Sequence, residues 1–221
     1  MKTIFGPAGN AVSFAQAGFQ ATKDAPAWIA AKGLTADEYQ CGRGVRIGSE
    51  TAGLIGQEAQ KHGIQLSLHA PYFINLSTDE AEKKQKNIGY VLESCRAARD
   101  MGADRIVVHT GGVGKIFVGK KRTRDAAMAN SRVNVREILA AKEDAGYTDI
   151  TICLETMGKI NVIGTAQEIM ELVALDDRLL PCIDFGHLNA RTHGEMATRE
   201  EVAALFDLME QTIGIERAKI F

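Results

Sequence analysis

Four apolar runs in this 221-residue chain end at, or within a few residues of, a side chain able to hold a metal ion. They are residues 65–69, ending in His69; 105–109, ending in His109; 150–155, ending in Glu155; and 181–184, ending in Asp184 with His187 three residues on. Each reads as a buried parallel strand, because a strand covered on both faces lacks the apolar–polar alternation of a half-exposed sheet. The carboxyl ends of parallel strands are where (β/α)8 barrels and open α/β sheets both place their ligands. These four strand ends gather two carboxylates and three of the five histidines.

The intervals carry helix signals, so the plan is strand, loop, returning helix, and the fold class is α/β. The spacing predicts helices over 25–32, 49–62, 78–101, 123–145, 165–175 and 198–213. Gly33, Gly63, Gly102 and Gly146 stand where helix stops belong. Residues 2–5 form a strand candidate ahead of a turn at 6–10, and a weaker one lies at 38–41 or 44–47. Residues 218–221 read as the opening of one more strand. About six to seven βα units of a (β/α)8 TIM barrel are thus present, a fold typically ~250 residues long. The expectation is a single barrel domain over 1–221, incomplete at the C-terminus or left open.

Composition narrows the function classes. A chain of this length buries a sizeable core, and 45% hydrophobic with 24% charged residues is ordinary for a globular protein. No apolar leader opens it and no run nears the ~20 residues of a membrane helix, which predicts a cytoplasmic protein without a membrane partner. Cys41, Cys95, Cys153 and Cys182 show no C-x-x-C spacing and are expected as reduced packing residues. A net charge of −2 argues against general adhesion to nucleic acid. One basic cluster remains, Lys115, Lys120, Lys121, Arg122 and Arg124 with Phe117 among them, readable as a nucleic-acid contact or as a solvated loop.

Imidazole and carboxylate together favour Zn²⁺ and accept Mn²⁺, Fe²⁺ or Co²⁺. A carboxylate such as Glu155 can bridge two ions about 3.5–4 Å apart, an arrangement suited to in-line displacement at phosphorus. Each residue also has a plainer role. Asp184 and His187 can be a loop cap and its partner, His69 and His109 satisfied core histidines, and Glu155 half of an ion pair. His62 reads as a surface residue near a helix end, and His193 as a loop residue that either touches substrate or does not.

With these residues assembled, the sequence resembles the endonuclease IV family of zinc-dependent apurinic/apyrimidinic endonucleases, within the xylose-isomerase-like barrels. His69-Ala70-Pro71-Tyr72-Phe73-Ile74-Asn75-Leu76 is similar to the family's His-x-x-Tyr-x-Ile-Asn-Leu segment. His109 before a glycine-containing loop, Glu155 before Thr156, and Cys182-Ile183-Asp184-x-x-His187 complete the likeness. The resemblance implies a barrel with up to three clustered zinc ions. His69 and His109 would bind one, Glu155 would bridge two and act as the catalytic carboxylate, and Asp184 with His187 would complete further coordination. It implies cleavage of DNA 5′ to abasic sites in base excision repair, by a zinc-held hydroxide attacking phosphorus. Tyr72 matches a tyrosine used where the abasic nucleotide is turned out of the helix, and Lys115, Lys120, Lys121 and Arg122 would contact DNA.

The Thr110-Gly111-Gly112 loop departs from the family's commoner Pro-Gly pattern, and the family's later ligands would fall beyond Phe221. Two rivals follow. A single-metal sugar isomerase or epimerase of the same superfamily would also use ligands like Glu155, Asp184 and His187, but has no need of His69 with His109. A catalytically inactive truncated member would lack part of the metal shell.

Overall fold

A computed structural model describes residues 3–114 and 123–220. Among them, β1 (Ala36–Gln40), β2 (Gln65–His69), β3 (Arg105–Val108), β4 (Thr151–Glu155) and β5 (Leu179–Cys182) form one parallel sheet in the order β1-β2-β3-β4-β5. Helices α1 (Val12–Gln16) and α2 (Ala25–Ala31) precede β1. The crossovers are α3 (Ser49–His62), α4 (Ala81–Asp100), α5 (Arg124–Asp144) and α6 (Ala166–Val173). After β5 come α7 (Phe185–Arg191), α8 (Arg199–Ile213) and α9 (Ile215–Ala218). Parallel strands laid down in sequence order, each joined by a helical crossover, wind in one direction only. That is the winding of a TIM barrel and not of a doubly wound sheet.

The helices start and stop where local chemistry dictates. Thr165 and Thr198 each accept a hydrogen bond from the N–H three residues on, while Glu168 and Glu201 reach back in capping boxes that open α6 and α8. Gly63 ends α3 at φ +67°, a conformation that costs glycine little.

Alternation along the strands sorts the side chains. Leu66, Leu68, Ile106, Val108, Ile152, Leu154 and Leu179 join the main core with the helices. Val107, Cys153 and Leu180 form a smaller cluster on the opposite face, where Cys182 and Ile220 pack against them. Pro181 is tolerated because β5 is an edge strand of this sheet, so its missing N–H falls on the unpaired side. The cysteines are free, and Cys182 alone is less than fully buried. One carboxylate breaks the pattern. Asp37 of β1 is 6% exposed with Oδ1 unpartnered, and burial, reinforced by the neighbouring Glu38 charge, raises its pKa to about 6.

Several expectations need correcting. Of the strand foreseen at 2–5, the described residues 3–5 join no strand of the sheet, and Lys2 lies outside the described residues; the nearby contact is a bridge from Ala8 to Glu38, with Glu38 N–H donating to Pro7 O at 3.0 Å and Gly9 N–H to Glu38 O at 2.8 Å. Gly6 lies so close to β1 that a Cβ would fall 1.6 Å from Ala36 O, and Pro7 has no N–H to pair, so a regular ladder cannot extend through them. The weaker candidate resolves to Ala36–Gln40, and residues 44–47 are not a strand. The count of six to seven βα units becomes five paired strands among the described residues. Of the strand opening foreseen at 218–221, Ala218 ends α9 and residues 219–220 follow it as a turn, since Arg217 donates to the carbonyls of Val173, Asp176 and Leu179 and holds the segment coiled; Phe221 lies outside the described residues. Helix α7 was not anticipated; it runs for only seven residues and opens directly on its cap, Asp184, two residues after β5.

Candidate metal centre

Three successive strand ends and one helix start supply the site. His69 is the last residue of β2, His109 lies one residue past β3, and Glu155 ends β4. Asp184 caps α7, its Oδ1 accepting the His187 N–H at 2.6 Å, so that one turn presents both side chains.

Glu155 sits at the middle. Its Oε2 lies 2.8 Å from His109 Nε2 and 3.2 Å from His69 Nε2, while Oε1 lies 3.3 Å from His187 Nδ1. Asp184 Oδ2 lies 3.3 Å from that same Nδ1. The five side chains therefore form two donor groups that share one carboxylate, His69–His109–Glu155 and Glu155–Asp184–His187, each with ligand atoms within 4.8 Å of one another. The halves differ in access. Side-chain exposure is 7% for Glu155, 13% for His69 and 15% for His109, against 38% for Asp184 and 37% for His187. A molecule arriving from solvent meets the Asp184 half first.

The imidazoles are set for ligation by backbone carbonyls. His69 Nδ1 lies 2.7 Å from Ala70 O, and His109 Nδ1 lies 3.2 Å from Tyr72 O. A carbonyl can only accept, so each bond needs its proton on Nδ1, and Nε2 then turns a lone pair toward Glu155 Oε2. A lone pair and a carboxylate oxygen 2.8 Å apart repel unless a proton or a metal ion lies between them. Burial works against a charged His69, but its hydrogen bonds to Glu155 and Ala70, which accept, outweigh it and raise its pKa. Burial likewise pushes the Glu155 carboxyl up, but the His109 and His69 hydrogen bonds bring it down to about 2. Neutral imidazole nitrogens around an ionised carboxylate are the donor set of zinc and related divalent ions.

The loop after β4 completes the frame. Buried Thr156 accepts the Asp184 N–H on Oγ1 at 2.8 Å, and its carbonyl lies 3.0 Å from His187 Nδ1. Arg124 pairs with Glu168 and donates to Ile160 O and Val162 O, while Arg191 donates to Met157 O and Lys159 O. Arg124, foreseen as part of a basic cluster read as a nucleic-acid contact or a solvated loop, is instead taken up by Glu168 and these carbonyls. Arg191 was not foreseen in this role; its signal was the spacing Asp184, His187, Arg191, which recurs on one side of a helix.

Of the other residues named from the sequence, Tyr72 has an exposed ring, edge-on to Phe73 at 5.9 Å, and meets His109 only through its carbonyl. Lys115, Lys120, Lys121 and Arg122 lie outside the described residues. His62 pairs with Glu58 on the surface of α3. His193 stands at φ +57° beyond α7 and belongs to neither donor group. No helix among the described residues is long and apolar enough to cross a membrane.

Comparison with known proteins places this geometry in context. The family described as xylose isomerase-like TIM barrel matches residues 26–221. An uncharacterised protein of Methanocaldococcus jannaschii is 27% identical over 216 residues, 98% of this chain and 73% of that protein. A probable endonuclease 4 of Mycoplasmoides gallisepticum is 25% identical over 154 residues, 67% of this chain but only 46% of that protein. The chain thus matches about half the length of its endonuclease 4 relatives. Among solved structures, endonuclease IV from Thermus thermophilus superposes with a TM-score of 0.64 at 22% identity, covering 89% of this chain and 68% of that one. A D-tagatose 3-epimerase-like protein superposes with a TM-score of 0.65 at 20% identity, covering 81% and 64%. Both structural likenesses concern the fold.

Proposed function

We propose, on the premise that this chain belongs to the xylose isomerase-like TIM barrel family, that it serves a metal-dependent phosphodiester hydrolase which cleaves DNA 5′ to abasic sites. The observation that carries this reading is the sharing of Glu155, whose two oxygens face two separate donor groups. His69 and His109 through Nε2, with Glu155, would hold one ion, and Glu155 with Asp184 would begin a second, beside His187. Bound zinc or manganese would supply Lewis acidity at the phosphoryl oxygens and activate water for attack. The chain's own residues do the rest. Ala70 and Tyr72 carbonyls fix the ring tautomers, Thr156 orients Asp184, and the exposed Tyr72 ring offers a surface where an unpaired nucleotide can rest. The endonuclease 4 relatives support the choice of substrate.

The epimerase reading has one observation in its favour, that Glu155 and Asp184 at successive strand ends are enough to begin a single-ion site. It leaves His69 and His109 without a task. Elemental analysis and cleavage of a duplex with one abasic site, on wild type and Glu155→Gln, decide between them. We expect more than one ion per chain in the wild type, and in the variant loss of both ions with cleavage reduced by more than about 100-fold. One ion per chain together with ketose epimerisation, or unchanged cleavage by Glu155→Gln, would overturn the proposal.

A further inference from the structure

We infer that Arg191 is a positioning residue for the Asp184–His187 half of the site, an assignment that rests on the metal-centre reading above. Asp184, His187 and Arg191 lie at i, i+3 and i+7 along one side of α7, and each grips the loop after β4. Asp184 N–H donates to Thr156 Oγ1 at 2.8 Å, and His187 Nδ1 meets Thr156 O at 3.0 Å. One turn further on, Arg191 Nη1 donates to Met157 O at 2.9 Å, Lys159 O at 2.8 Å and Val162 O at 3.2 Å, and Nη2 to Ile160 O at 3.4 Å. The loop also lies tight against the imidazole, since a Cβ on Gly158 would fall 3.2 Å from His187 Cδ2.

Among the described residues no carboxylate forms a salt bridge with Arg191. Its guanidinium is committed to neutral carbonyls, so its role is geometric: five N–H donors in a rigid planar fork meet spread-out acceptors that the three donors on a single ammonium nitrogen match less well. Arg124 also donates to Ile160 O and Val162 O, at 2.8 and 2.9 Å. The gripped segment opens at Met157, next to Thr156, whose carbonyl at 3.0 Å is the nearest of three acceptors around His187 Nδ1, with Glu155 Oε1 and Asp184 Oδ2 each at 3.3 Å; together they favour the proton on Nδ1 and leave Nε2 free. Releasing Arg191 frees Thr156 O, the nearest of these acceptors, to move, and loosens the hold on that tautomer.

Two measurements on the full chain test this. Long-range ¹H–¹⁵N NMR on metal-free protein at pH 8 reads the His187 tautomer in wild type, Arg191→Ala and Arg191→Lys. Chelator competition reads stepwise zinc affinity in the same proteins, in Asp184→Asn and in the double variant. We expect a single Nδ1–H tautomer in wild type and a mixture in Arg191→Ala. The weaker zinc step should fall about 10–100-fold while the tighter one stays unchanged, with at most partial recovery in Arg191→Lys. The double variant should lose no more than Asp184→Asn alone, because the two residues act on one half-site. An unchanged tautomer with unchanged zinc binding, equal loss of both zinc steps, or additive losses in the double variant would overturn the assignment. Should Arg191→Ala fail to fold, Arg191→Lys carries the same comparisons. A wild type that binds no zinc sinks the metal-centre reading, while the tautomer still judges Arg191.

Discussion

Replacing Asp37 with asparagine should make this protein more stable at neutral pH. The carboxylate lies on the helix-facing side of β1, 6% exposed, with one oxygen unpartnered. Burial, and then the adjacent Glu38, raise its pKa from 3.8 to about 6. A raised acid is less willing to ionise in the folded chain than in the unfolded one. The penalty is therefore absent below pH 3.8, grows as pH rises, and is complete above pH 6. A gap of about two pKa units at ~1.36 kcal/mol per unit amounts to about 3 kcal/mol. Asparagine removes the charge but still leaves a polar group to satisfy, so the expected gain is about 1–3 kcal/mol. Urea unfolding of both proteins at pH 4 and pH 8 measures it as a shift in midpoint at constant slope. The stabilisation should appear at pH 8 and largely vanish at pH 4. Equal stability at pH 8, or a difference of the same size at both pH values, would refute the idea that Asp37 is a strained buried charge.

Other perturbations address the loops that hold the site. Burial would raise the Glu168 carboxyl, but Arg124 and the N–H groups of Gly164 and Thr165 hold it down to about 2. Its contribution is present above the ordinary 4.5 and lost as pH falls toward 2; Glu168→Gln should cost about 3 kcal/mol at pH 7 and almost nothing at pH 2, read by the same unfolding assay. Gly111 stands at φ +87° with a would-be Cβ 2.2 Å from Asn75 Oδ1, so Gly111→Ala should cost more than about 2 kcal/mol and weaken zinc binding at His109, checked by midpoint and chelator competition. Tyr72→Ala keeps the carbonyl that meets His109 and removes an exposed ring. It should leave zinc stoichiometry intact and weaken binding to abasic duplex more than to intact duplex, and an equal loss on both would mean that the ring does not read the lesion.

The parallel α/β plan was legible because it rests on local rules. Apolar runs of strand length, helix stops at Gly63 and Gly102, and the threonine caps at 123, 165 and 198 act over a few residues, and side chains nearby in sequence decide them. Candidate ligands were legible for the same reason: His69, His109, Glu155 and Asp184 mark strand ends, and parallel strands bring their ends to one side. What the sequence could not reveal depends on atoms that meet only after folding. The two oxygens of Glu155 facing different partners, the Tyr72 carbonyl that chooses the His109 tautomer, and the Arg191 grip on residues 157–162 all join groups tens of residues apart. The irregular contact at Gly6 and the coiling at Arg217 were likewise decided by close approach between distant segments. Periodicity reports which side of a strand a residue faces. Hydrogen-bond direction and sub-ångström clearance depend on the packed backbone, and that exists only once the crossovers have brought the strands into register.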